Sequence, residues 1–441
     1  MAGLWAARRT AGEIPERVRF LQGSARALAS SRLAPMPRRF VDTGKRAGYP
    51  NASLTLRAPL SVERKAAPRV AQDSQAPAME AAVTEDIEIY GDEPLILECG
   101  VPLGPIAVRV EGFGRRRPNR ACLVLHALTG DAHVARHGAE DRPGWWEAFV
   151  GPGRPLDTDS WWVLGMNVLG GSAGTTGPQS LAPDGRPFGR RFPVVTVRDM
   201  VRVQARVLDV LEVPRLALAI GGSLGGMQAL EWAALYPERV AVAAAIGASD
   251  ALSPLSVGLN AAQRAAVALG LRHGDPAGGI QAARMLAMLT YRSSTHISAR
   301  FGRRRQPDGD LAAGPEGVHF AVESYLTYQG DKLARRFDAM TYLLLSRAMD
   351  LYDLWAGRDR PDAGIQARLH LAGISHDWLF PPDDIQALAG RLASAGVTVH
   401  YEELDSDIGH DAFLIDSPEM RHWLGTVMAD VADVCLAEDV S

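Results

Sequence analysis

The sequence predicts an α/β fold in which a mostly parallel sheet carries helices on both faces and a helical insertion forms a lid. Three observations point there. Short continuous apolar runs such as "RLALAIGG" and "AVAAAIGAS" alternate with segments of helical apolar periodicity, the pattern of strands buried on both faces and joined by helical crossovers. A serine set between glycines, in "GGSLGGMQALEWAALYPERV", stands between one such strand and the following helix. From about residue 251 to residue 365 the alternation stops, and it resumes at residue 366.

In chain order, "LILECG", "IAVRVEGF" and "RACLVLHAL" read as strands, the last ending at His126, and "WWVLGMNVLGG" as another ending at Asn167 before a glycine-rich loop. "RDMVRVQARVLDVLEV" has the apolar period of a helix, "RLALAIGG" is a strand, "MQALEWAALYPERV" a helix and "AVAAAIGAS" a strand. Residues 81–250 thus form the first part of a core. Residues 251–365 read as a lid, with helical "GIQAARMLAMLTYRS" and "DKLARRFDAMTYLLLSRAMDLYDL" joined by the glycine-rich "RRRQPDGDLAAGPEG". Residues 366–441 complete the core with strand "ARLHLAGIS", helix "DDIQALAGRLASAG", strand "VTVHYEELD" and helix "EMRHWLGTVMADVADVCL". Residues 1–80 differ in texture. They are arginine-rich up to Val41, with Glu13 and Glu16 the acids of that stretch, and end in a linker-like "QDSQAPAMEAAV". This extension reads as a disordered tail, a targeting segment, or sequence ahead of a later start such as Met79, with no part in chemistry.

The chain of 441 residues is 47% hydrophobic and 22% charged with a formal charge of -4. That describes a soluble globular protein with a sizeable core and gives no reason to invoke nucleic acid or a membrane. Cys99, Cys122 and Cys435 are an odd set without metal-ligand spacing, so a reducing, cytoplasmic setting is expected rather than a disulfide framework. The histidines form no HExxH and no GxGxxG follows a first strand, so neither a metal nor a tightly bound cofactor is expected.

Gly221–Gly225 spell G-x-S-x-G between a strand and a helix. In that context the turn presents the serine oxygen at the carboxyl end of the sheet, which makes Ser223 a nucleophile; the alternative is a plain structural turn. A serine needs a base. His410 in "DSDIGHDAFL" is the candidate, with Asp377 in "LAGISHDWLFPP" to hold its tautomer, while His376, Asp407 and Asp411 compete from neighbouring positions. The order Ser223, Asp377, His410 is that of the α/β-hydrolase fold. Two amides are needed for an oxyanion: Leu224 follows the nucleophile, and Leu128 in "HALTG" is the candidate from the earlier loop. His126 and His133 need no catalytic role and read as packing or hydrogen-bonding residues.

"HALTGDAHV", "WWEAFVGPGRPLDTD", "NVLGG…GTTGPQS", "GGSLGGMQALEWA", "YLTYQGDKLARRFDA" and "GHDAF" together resemble the homoserine O-acetyltransferase family, over about residues 86–436. The resemblance implies transfer of acetyl from acetyl-CoA to the hydroxyl of L-homoserine through an acyl-serine, a step of methionine biosynthesis, in a homodimer. It also implies that Arg292 pairs with the acceptor carboxylate and that Asp411 faces its ammonium. Tyr328 and Lys332 in "YQGDK" are candidate pocket or CoA contacts, and Asn167 with the Gly170–Gly177 loop either shapes the entrance or is a plain crossover loop. Two departures stand out: Ser172-Ala173 where the family often has Cys-Lys, and His376 where serine is more usual. Succinyl as the acyl group, serine as the acceptor, ester or thioester hydrolysis, and a noncatalytic binding protein are the rival readings.

Overall fold

The computed structural model describes residues 83–306, 317, 320–360 and 362–439. The extension expected over residues 1–80 lies outside the described residues. Numbering the strands of the main sheet alone, the chain lays down β1 (Val83–Ile89), β2 (Ile106–Phe113), β3 (Ala121–Leu125) and β4 (Trp162–Met166). It continues with β5 (Leu216–Gly222), β6 (Val240–Ile246), β7 (Arg368–Ile374) and β8 (Val399–Leu404). Their order across the sheet is β1-β2-β4-β3-β5-β6-β7-β8. β2 is antiparallel to both β1 and β4, and every pairing from β4 to β8 is parallel.

Because those strands run in one direction, their carboxyl ends share an edge, where open α/β sheets bind ligands. The register aligns Leu125 with Gly221, Gly222 with Ile246 and Ile246 with Ala372. His126, Asn167, Ser223 and Gly247 each follow directly from a strand end there. The continuous apolar runs have their explanation in two-sided burial. Along β6, Ala243 and Ala245 enter one core cluster, and Val242, Ala244 and Ile246 the other. One face is covered by α1 (Val197–Val210), α2 (Leu224–Leu235) and α8 (Pro382–Ser394), and the opposite face by α9 (Pro418–Asp439).

Between β6 and β7 come α3 (Pro254–Arg272), α4 (Pro276–Tyr291), α5 (Ser294–Phe301), α6 (Ala321–Ala334) and α7 (Ala339–Leu351). The two ends of this stretch meet: Ala251 bridges Asp353, and the Trp355 indole donates to Asp250 Oδ2 at 2.6 Å.

The sequence expectations need adjusting in two places. "LILECG" yields only Leu95–Ile96, paired with Pro102–Leu103 outside the main sheet, because a tight turn with Gly100 N donating to Leu97 O folds the segment back on itself. The stretch from Asp331 to Leu354 is two helices. Asp338 accepts from Thr341 N at 2.7 Å and so starts α7 afresh, and a side-chain N-cap is invisible to apolar periodicity.

Candidate active site

Ser223 sits at φ 56° and ψ −124°, between the end of β5 and the first residue of α2. Only a few per cent of residues other than glycine take positive φ, and a bent strand-to-helix turn that enforces it is what lifts the serine side chain above the sheet. The backbone is held on both sides, since Ser223 N donates to Ile246 O at 2.9 Å and Met227 N to Ser223 O at 3.0 Å. Gly225 is required by space: a Cβ there would run into the Leu125 carbonyl oxygen. Leu224 is the first helical residue, so its amide belongs to the turn whose N–H groups lack partners within the helix and carry the positive end of the dipole.

Asp377 follows β7 and His410 follows β8, which brings residues 33 apart in the chain to 2.6 Å between Oδ2 and Nδ1. The other carboxylate oxygen, Oδ1, accepts from the Leu379 and Phe380 amides at 2.8 and 3.0 Å, so the carboxylate cannot rotate away. Gly247 makes room for the pair: a Cβ there would stand 3.3 Å from Asp377 Oδ2 and 3.4 Å from His410 Nδ1. Burial pushes the His410 imidazole down, but the charge of Asp377 and its hydrogen bond, helped by Asp411, more than offset this and hold the histidine above its ordinary value. Phe380 stacks on the ring at 5.5 Å, with Tyr291 and Phe413 at 5.7 Å. With Nδ1 turned to the carboxylate, Nε2 is the nitrogen left to exchange a proton. Of the competing residues, His376 and Asp407 are exposed, whereas Asp411 is buried.

Asp411 is engaged by the lid. Arg292, at the end of α4, places Nη2 3.1 Å from Asp411 Oδ2, with both side chains largely out of solvent. The Nε of the same guanidinium is buried and has no hydrogen-bond partner among the described residues. Next to it, Ser293 N donates to Ile408 O at 2.8 Å and the Ser293 hydroxyl to Asp407 O, which ties the lid to the loop carrying His410.

The remaining sequence-selected residues come from three other segments of the chain. Leu128 is buried in the loop after β3, two residues beyond His126. Asn167 is buried at the end of β4, and neither atom of its amide group has a partner among the described residues. Tyr328 and Lys332 lie on α6 with exposed side chains. Sequence reading missed the rings around His410 and the constraint at Gly247; the strand-end position of Gly247 was the one available signal.

A family model described as the alpha/beta hydrolase fold matches residues 122–417. A homoserine O-acetyltransferase of Symbiobacterium thermophilum is 48% identical over 343 residues, covering 74% of this chain and 90% of its own. The chain belongs to the homoserine O-acetyltransferase family. A crystal structure of the Bacillus anthracis homoserine O-acetyltransferase aligns with a TM-score of 0.73 at 21% identity, over 79% of this chain and 98% of that one. The crystal structure of esterase E22 aligns with a TM-score of 0.71 at 23% identity, over 79% of this chain and 100% of that one. Both likenesses speak for the fold alone.

His376, noted in the sequence as a departure, stands at φ 62° with an exposed side chain. Histidine is among the residues enriched in this left-handed region, so this residue fits the local backbone. Elsewhere in this homoserine O-acetyltransferase family member, two groups of imidazoles and carboxylates converge. Glu111 Oε2 faces both His133 Nδ1 and His137 Nε2 at 2.8 Å, and His370 Nε2 faces Asp430 Oδ2 at 2.9 Å with His400 stacked alongside. In the first group both histidines turn one ring nitrogen to Glu111, and in the second His370 alone is bonded to its carboxylate, so His133 is a hydrogen-bonding residue. Among the described residues no helix is long and apolar enough to cross a membrane.

Proposed function

We propose that this protein transfers acetyl from acetyl-CoA to the hydroxyl of L-homoserine, by a ping-pong route through Ser223. Ser223 Oγ attacks the thioester carbonyl as His410 Nε2 takes its proton, and the Leu128 and Leu224 amides bear the oxyanion. CoA thiolate leaves and takes the proton back from His410, which leaves an acetyl ester on Ser223. Homoserine then binds, His410 removes its hydroxyl proton, the oxygen attacks the ester carbonyl, and Ser223 leaves with that proton.

The observation that carries the choice of acceptor is Arg292 beside Asp411. A zwitterionic amino acid offers a carboxylate to the guanidinium, whose buried Nε has no partner, and an ammonium to Asp411. Water as the acceptor offers neither side chain a charge to bind. The same proposal treats residues 251–365 as a lid that limits water at the acyl-enzyme. It also includes a homodimer as the working form and a cytoplasmic setting, in keeping with the unbridged Cys99, Cys122 and Cys435.

The deciding assay supplies acetyl-CoA or succinyl-CoA with homoserine, serine or water, and follows CoA release together with product mass. O-acetylhomoserine should dominate. CoA release indifferent to the amino acid would make the protein a hydrolase, and preference for succinyl-CoA or serine would move it to a rival substrate pair.

A further inference from the structure

A polar relay runs through the core behind the elbow. The Trp232 indole donates to Gln204 Oε1 at 2.8 Å, and Gln204 Nε2 donates to Gln228 Oε1 at 2.7 Å. Gln228 Nε2 then donates to Leu224 O at 3.1 Å and, more weakly, to His126 O at 3.4 Å. Trp232, Gln204 and Gln228 are all buried. The direction of the relay is dictated by its ends. An indole can only donate and a backbone carbonyl can only accept, so both carboxamides have a single orientation that satisfies every bond.

The two carbonyls at the far end belong to the two segments that carry the oxyanion amides. Leu224 itself is one donor, and His126 lies two residues before Leu128, the other. His126 is fixed in turn: its Nδ1 lies 2.8 Å from Ala127 O and its Nε2 accepts from Val168 N at 3.1 Å. That is the neutral tautomer, in keeping with burial pushing this imidazole down. From the lid, Arg336 donates to Thr129 O at 2.9 Å.

We infer that Gln228 is a positioning residue for the reaction: its carboxamide clamps the end of β3 to the first turn of α2 and so sets the separation of the two oxyanion amides, with Gln204 and Trp232 fixing its orientation. This rests on the acyl-Ser223 reading above. A buried relay of this kind contributes only while each member is satisfied, so replacing one member disturbs the geometry at its end.

The test uses Gln228→Met, which is similar in size and unbranched but offers no donor, and Gln204→Met, which leaves Gln228 in place without its orienting partner. Three quantities are read on the full-length enzyme: kcat, the KM for each substrate, and the isotope-edited infrared carbonyl band of the acetyl-enzyme. Gln228→Met should lower kcat by about ten-fold or more, since loss of a whole oxyanion donor costs about 100- to 1,000-fold. KM should stay within about two-fold, and the carbonyl band should move to higher frequency as hydrogen bonding to it weakens. Gln204→Met should move the same quantities in the same direction by less, and it carries the test if Gln228→Met does not fold. A folded variant with unchanged kcat, or with an unshifted band despite slower turnover, overturns the inference. Absence of any acetyl-enzyme in the unaltered protein would instead sink the acyl-Ser223 reading, so the two failures are distinguishable.

Discussion

Arg292 and Asp411 form an ion pair of 3.1 Å between the end of a lid helix and the residue after His410. The family resemblance implies a separate role for each charge, one at each end of an amino-acid acceptor, and the structure has them holding each other. The two descriptions agree if the acceptor inserts between them: each side chain exchanges a protein partner for a ligand group of the same charge, so neither is left buried and unpaired. Breaking such a pair without replacement is costly.

Arg292→Gln should therefore raise the KM for homoserine by at least about ten-fold, the loss of one charge-assisted bond being about 1.5–3 kcal/mol. The rate of Ser223 acetylation by acetyl-CoA should change much less. Stopped-flow measurement of each half-reaction separates the two, and equal loss in both would remove Arg292 from acceptor binding.

The pH dependence follows from His410. As a base it works neutral, and Asp377 holds its pKa above the ordinary 6.5. A raised value means the proton leaves at higher pH, so the rising limb of acetylation rate against pH should have its midpoint above 6.5. Asp377→Asn removes the charge that raises it. Activity should fall by about 1,000- to 10,000-fold, with the residual limb moved to lower pH. A limb that stays in place would separate Asp377 from the titration.

Much of this arrangement was legible in the sequence, because the order of Ser223, Asp377 and His410 and the strand before each are local features of the chain. Pairings between distant side chains were not. Nothing in the spacing of Arg292 and Asp411, or of Trp232, Gln204 and Gln228, says that they touch, since contact depends on how α4 meets the His410 loop and α1 meets α2. The exposure of Tyr328 and Lys332 on α6 is likewise set by tertiary packing and is not written in their motif.

The Glu111 cluster makes a separate prediction about stability. Burial raises the Glu111 carboxyl, but hydrogen bonds from His137 and His133 bring it below its ordinary 4.5; burial lowers His133, but the Arg142 carbonyl and Glu111 bring it above 6.5. A depressed acid stabilises the fold above its unfolded pKa and loses this as pH falls through the folded value. A raised base stabilises below its unfolded pKa and loses this as pH rises through the folded value. The cluster is thus fully effective between 4.5 and 6.5. Glu111→Gln should cost about 1–3 kcal/mol there. In denaturant titrations the gap to the unaltered protein should narrow on both sides of the window; a pH-independent gap would contradict this.

Gly225→Ala should destabilise by about 1–3 kcal/mol or more, because the atoms nearest the new Cβ are backbone, the Leu125 carbonyl first and then the His126 oxygen. Ser223→Ala changes no packing of that kind and should melt close to the unaltered protein. Thermal melts of the two variants side by side check the contrast. If Gly225→Ala melts like the unaltered protein, the elbow is less tightly packed than described.

The most direct test of the account is the intact mass of the protein after mixing with acetyl-CoA in the absence of an acceptor. A single added acetyl group should appear, map to the peptide containing Ser223, and be discharged by homoserine to give O-acetylhomoserine. It should be absent from Ser223→Ala. An acetyl group retained in Ser223→Ala, or one on Ser223 that homoserine fails to discharge, would contradict transfer through this serine.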